Sequence, residues 1–122
     1  EAKERGGVSA GKSFYADSIE KVRNRFSIFE SCNVIVGQLP DSLENVDLQG
    51  VGFVHVDLND GAAEVMCLRQ IWPIIASGSP IVLDDFANRG RAFQKGVVSA
   101  FFDELDITVL STPQGQGLVI KP

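Results

Sequence analysis

Residues 51–86 read VGFVHVDLNDGAAEVMCLRQIWPIIASGSPIVLDDF. Two short apolar runs, 53–58 and 81–83, flank a segment in which Leu68, Ile71, Trp72 and Ile75 recur at i, i+3, i+4 and i+7. That recurrence is the stripe of a core-facing helix, expected over about 61–76, with Gly78 ending it and Pro80 barring its continuation. The flanking runs are nearly continuous in apolar character, as parallel strands covered on both faces are. Strand, helix and strand in this order bring Asp57, Asp84 and Asp85 to the carboxyl edge of one parallel sheet, where ligands of α/β proteins bind.

Outward from this unit, Ile19, Val22, Phe26 and Phe29 give an earlier helix one apolar face, with Ser13 or Asp17 as its cap. Residues 33–36 read as a short strand, broken after Gly37 by the turn around Pro40. Phe93, Val97, Phe101 and Leu105 mark a helix over about 92–105. Residues 107–110 and 118–120 read as strands joined across Pro113, Gly115 and Gly117, an antiparallel edge hairpin. The whole predicts an α/β sandwich: a partial Rossmann-like arrangement, mostly parallel, in one domain spanning 1–122.

The chain has 122 residues, 44% of them hydrophobic, which is enough for a core. Its net charge of −5 argues against a nucleic-acid binder. No apolar run approaches the roughly 20 residues needed to cross a bilayer, so no membrane partner is expected. Cys32 and Cys67 fit no metal spacing and read as reduced thiols of a cytoplasmic protein.

Four constellations could carry chemistry. The three aspartates repel one another unless a cation sits among them, and a hard divalent ion such as Mg²⁺ takes oxygen ligands. Asn59 and Asp60 could add ligands or orient them. The plainer reading is that Asp57 and Asp85 cap the helices that follow them. His55, the one histidine, falls two residues before Asp57 and so on the same strand face, as a base or a ligand neighbour. A buried histidine paired with a backbone carbonyl is the plainer reading there. Gln114 and Gln116 give the hairpin two amides beyond what a turn requires, although a glycine-rich turn accounts for it too. Finally, residues 6–13 read GGVSAGKS, the phosphate-loop pattern, and IVLDD imitates its acidic partner strand. The context fails, because Glu1-Ala2-Lys3-Glu4-Arg5 cannot be the buried strand that must precede such a loop. Residues 1–13 read better as a flexible loop.

The order HVDLN, a helix with Glu64 and Leu68, WPIIASGSPIVLDDF, Gln94-Lys95 and TPQGQGLVIKP resembles the C-terminal half of class I S-adenosylmethionine-dependent methyltransferases, in the branch related to macrocin-type O-methyltransferases. The resemblance runs from about residue 34 to 122. It implies that Asp57, Asp84 and Asp85 bind a divalent metal such as Mg²⁺ that orients the hydroxyls of a small-molecule acceptor, with Asp57 and His55 at the reacting centre. It implies that Gly37 and Gln38 lie near the adenine of S-adenosylmethionine, with Asp57 on the cofactor side as well. Asn59 stands where the branch usually has a second Asp, the usual Tyr near Gly61 is missing, and Phe86 stands where Tyr is usual. The family's first two strands have no counterpart here, so the chain reads as a fragment that starts after them and can be inactive alone. A hydrophobic strand edge is then expected to lie open, covered by rearrangement or by a second copy of the chain. A phosphate-loop nucleotide hydrolase and a noncatalytic α/β interaction module are the alternatives.

Overall fold

The structure, a computed structural model, describes residues 18–122. The loop 1–13 with its GGVSAGKS stretch, and the expected caps Ser13 and Asp17, lie outside the described residues. The chain divides into two compact units, Glu1–Val36 and Gly37–Pro122. In the first, helix α1 spans Ile19–Phe26 and is capped by Ser18, whose hydroxyl accepts from the Lys21 amide at 3.2 Å. None of its residues is buried. The strand expected at 33–36 does not form. Ile35 and Val36 are exposed, and among the described residues no neighbouring strand offers the ladder that their backbone groups need.

The second unit runs β1 Val54–Val56, α2 Gly61–Ile71, β2 Pro80–Leu83, α3 Ala92–Glu104, β3 Leu110–Ser111 and β4 Gly117–Ile120. α2 ends five residues short of expectation, because Pro73 has no amide to continue it and residues 72–74 tighten into a 3-10 turn. Leu68, Ile71, Trp72 and Ile75 nevertheless all reach the core, as their spacing required. The strand expected at 107–110 shrinks to two residues, while Ile107 and Val109 pack on the core from an irregular segment.

The sheet order is β1-β2-β4-β3. β1 and β2 are parallel, with Val54 opposite Ile81 and Val56 opposite Leu83. β4 is antiparallel to both β2 and β3. The terminal hairpin is therefore antiparallel as expected, but β4 is inserted beside β2 and only β3 lies at the edge. The opposite edge is β1, which pairs with β2 alone among the described strands.

The pleat sorts the strand residues. Val56, Ile81, Leu83 and Val119 share one face and join Leu68, Val98, Phe101 and Phe102 in a single core. Trp72, Phe101 and Phe102 meet edge to face, with centroids 4.9–6.0 Å apart. The other face carries His55, half-buried Val82 and Leu118, and exposed Ile120. Cover on both faces was the expectation for these apolar strands; in this unit the core lies on one face. Gly117 makes the core possible where β4 passes Phe86: a Cβ there would lie 2.8 Å from the Phe86 ring.

Candidate functional site

The site forms where β1 and β2 end. Asp57 follows β1, and Asp84 and Asp85 follow β2, whose exit is tied down by the Asp84 amide donating to the Val56 carbonyl at 2.9 Å. One carboxylate oxygen from each of Asp57, Asp84 and Asp85 lies within 4.8 Å of the others. At an effective dielectric of about 20, two carboxylates at that separation repel by about 3–4 kcal/mol, less where water screens them. None of the three is used as a helix cap. Asp60 caps α2, accepting from the amides of Ala62 and Ala63, and Asn88 caps the turn before α3 through the Gly90 amide. The capping alternative for Asp57 and Asp85 therefore falls.

Each aspartate has different company. Asp84 accepts from the Gln116 side-chain amide at 2.9 Å and lies 3.4 Å from His55 Nε2. The Gln116 hydrogen bond, and then that of His55, hold its carboxyl below the ordinary carboxylate range. Asp85 accepts from Asn88 Nδ2 at 3.3 Å and has the Arg91 guanidinium 3.5 Å away. Arg91 also donates to Asn59, whose backbone is held left-handed at φ 57°. Asp57 takes no side-chain hydrogen bond among the described residues and faces solvent. Three polar donors and one cation offset only part of three crowded negative charges. All-oxygen donors with net negative charge suit a hard divalent cation, so the residues present fit one.

His55 is corrected in one respect. It is not buried against a backbone carbonyl; it is exposed, and its partner is the Asp84 carboxylate. Of the hairpin amides, Gln116 reaches the site and tightens the turn as well, its backbone amide meeting Thr112 Oγ1 at 3.1 Å. Arg91 was not anticipated, and nothing in the spacing of the sequence could have paired it with Asn59 and Asp85. The same holds for Glu64 and Gln94, a buried pair joined at 2.8 Å between α2 and α3.

Gly37 has a local reason to be glycine, since a Cβ there would come within 2.4 Å of Ser42 Cβ. The Gln38 carbonyl accepts from the Ser42 amide at 2.9 Å, and its side chain is exposed. Beyond them, Leu39 and Leu43 face Val54, Val56 and Asp57 across a groove of about 190 Å³ along β1. Ligand sites usually measure about 300–1,000 Å³, so this groove is smaller than a whole small-molecule site.

Because Gln116 is the main cause of the lowered Asp84 pKa, its removal raises that pKa. A carboxylate with a depressed pKa keeps its charge, and what that charge holds, until the pH falls through the folded-state value. Gln116→Ala is therefore expected to move the acid limb of Mn²⁺ binding to higher pH. An unchanged acid limb in calorimetric titrations across the acidic range would show that Gln116 does not govern Asp84.

The four-stranded sheet with its helical crossovers and inserted antiparallel strand is similar in fold to solved methyltransferase structures. Solved structures of this fold include the O-methyltransferase NovP, at TM-score 0.71 and 15% identity over 85% of this chain and 45% of NovP. A second is the SAH-bound Podospora anserina methyltransferase PaMTH1, at TM-score 0.61 and 17% identity over 84% of this chain and 54% of that one. The chain thus spans about half the length of either neighbour. No protein-family description and no curated protein matches the sequence. Among the described residues, no helix is long and apolar enough to cross a membrane.

Proposed function

We propose that this chain is the acceptor- and metal-binding half of an S-adenosylmethionine-dependent O-methyltransferase acting on a small-molecule hydroxyl. The observation that carries the reading is the convergence of the Asp57, Asp84 and Asp85 oxygens within 4.8 Å on a methyltransferase fold. The SAH held by PaMTH1 supports S-adenosylmethionine as the methyl donor. Free Cys32 and Cys67 agree with a cytoplasmic setting.

In this reading Asp57, Asp84 and Asp85 hold a divalent cation such as Mg²⁺. When bound, it supplies Lewis acidity that lowers the pKa of the acceptor hydroxyl and fixes its position. Gln116 and Asn88 orient Asp84 and Asp85 through their amides. The acceptor oxygen forms its bond to the methyl carbon as the sulfur–carbon bond breaks, and the electron pair stays on sulfur. With Nε2–H facing Asp84 Oδ1 at 3.4 Å, His55 takes the hydroxyl proton on its other ring nitrogen, Nδ1, and Asp84 stabilises the imidazolium. Gly37, Gln38 and the β1 groove form one wall for the methyl donor, with Asp57 at its inner end.

Titration calorimetry of the chain with Mn²⁺ and with S-adenosylmethionine tests this. Saturable Mn²⁺ binding is expected, with a rise in Tm that follows the ligand concentration. If neither ligand binds nor shifts Tm, the noncatalytic interaction module replaces this reading. ATP-Mg²⁺ binding that is lost on Lys12→Ala would replace it with the phosphate-loop hydrolase.

A further inference from the structure

We propose that Arg91 is the built-in counter-ion of the carboxylate trio, a positioning residue that an entering divalent cation displaces from Asp85 and that thereby sets the cation affinity of the site. The inference rests on the cation-binding reading given above. Among the described side-chain contacts, Asp85 alone of the three aspartates has both oxygens engaged. Asn88 Nδ2 donates to its Oδ1 at 3.3 Å, and Arg91 Nη2 lies 3.5 Å from its Oδ2. At Asp84, Gln116 and His55 both meet Oδ1. A guanidinium is not deprotonated in proteins, so the positive charge held against Asp85 is permanent.

The hold on Asp85 is loose. At 3.5 Å the contact is an ion pair longer than a hydrogen bond, whereas the same nitrogen donates to Asn59 Oδ1. Arg91 therefore bridges the loop that leaves β1, through Asn59, to the loop that leaves β2, through Asp85. These are the two loops that carry the trio. Arg91 ends the 3-10 turn Arg89–Arg91 that leads into α3, and its side chain makes no capping hydrogen bond to that helix. It also borders a cavity of about 260 Å³, together with Asn59, Asp60 and Phe93. A displaced guanidinium has room there, and the Asp60 carboxylate to face. A cation on Asp85 and a guanidinium beside its Oδ2 repel each other, so occupation by the one favours release of the other.

Arg91→Met removes the charge and keeps an unbranched apolar stem. It is expected to tighten Mn²⁺ binding about tenfold in titration calorimetry, a value discounted from bare Coulomb repulsion because the Arg91 and Asp85 side chains are 38% and 22% exposed. The Tm of the variant in chelator is expected to fall below wild type, and saturating Mn²⁺ to close most of that gap, because the cation-bound chain no longer uses the contact. A residue that only holds the two loops in place gives the opposite sign, since its loss scatters the ligands. Arg69→Met removes the same charge from the last turn of α2, where Arg69 pairs with Glu104, and is expected to leave Mn²⁺ binding unchanged. Weaker or unchanged Mn²⁺ binding in Arg91→Met overturns the inference and leaves the carboxylate reading intact. An equal gain in Arg69→Met overturns the assignment to Arg91. A chain that binds no Mn²⁺ with either residue at position 91 overturns both readings.

Discussion

Asp84→Asn is expected to lower Mn²⁺ affinity by more than about a hundredfold, because loss of an outer-shell partner alone commonly costs 10–100-fold and Asp84 is a direct ligand in the proposed site. The substitution keeps the shape, and the new amide oxygen can still accept the Gln116 hydrogen bond that Asp84 accepts at 2.9 Å. What disappears is one of three charges crowded within 4.8 Å. Because hydrogen bonds favour the ionised Asp84 in the folded chain, the substitution is expected to lower the stability of the cation-free chain slightly, and a Tm measurement in chelator separates that loss from the loss of binding. Calorimetric affinity within a few-fold of wild type would remove Asp84 from the site and the trio with it.

Phe102→Ala carries the largest expected effect on the fold. Phe102 is fully buried and packs edge to face on Phe101, at 4.9 Å, and on Trp72, at 6.0 Å. Truncation removes these contacts and leaves a cavity that helices pinned to a sheet can close only in part, at a cost of about 3–5 kcal/mol. Typical domains have about 5–15 kcal/mol in total, so much of the margin is lost. Phe93 sits on the same helix but is 86% exposed. Phe93→Ala is expected to change stability by no more than about 0.5 kcal/mol. Urea denaturation of the pair gives the contrast. Equal effects would mean that the burial pattern of α3 is misassigned.

The acidic site is legible in the amino-acid order because its members are held by local rules. Alternation and apolar runs mark strand ends, parallel strands share a carboxyl edge, and Asp57, Asp84 and Asp85 each stand one or two residues past a strand. Helix α2 is legible from its stripe, and its early end could have been read from Pro73. Residues 33–36 mislead because an apolar run looks the same whether or not a ladder partner exists for it.

Sequence by itself determined the order of the elements from β1 onward, the parallel β1–β2 pair and the meeting of three carboxylates, since each follows from patterns within about a dozen residues or from a connection rule. The tertiary structure alone decided the partners of those carboxylates. Arg91 on Asp85, Gln116 on Asp84 and the buried Glu64–Gln94 pair are set by how far side chains reach once the elements have packed, which leaves no periodic trace. It also decided that the core of this unit lies on one face of its sheet. An apolar residue records that it avoids water, and not which neighbour covers it.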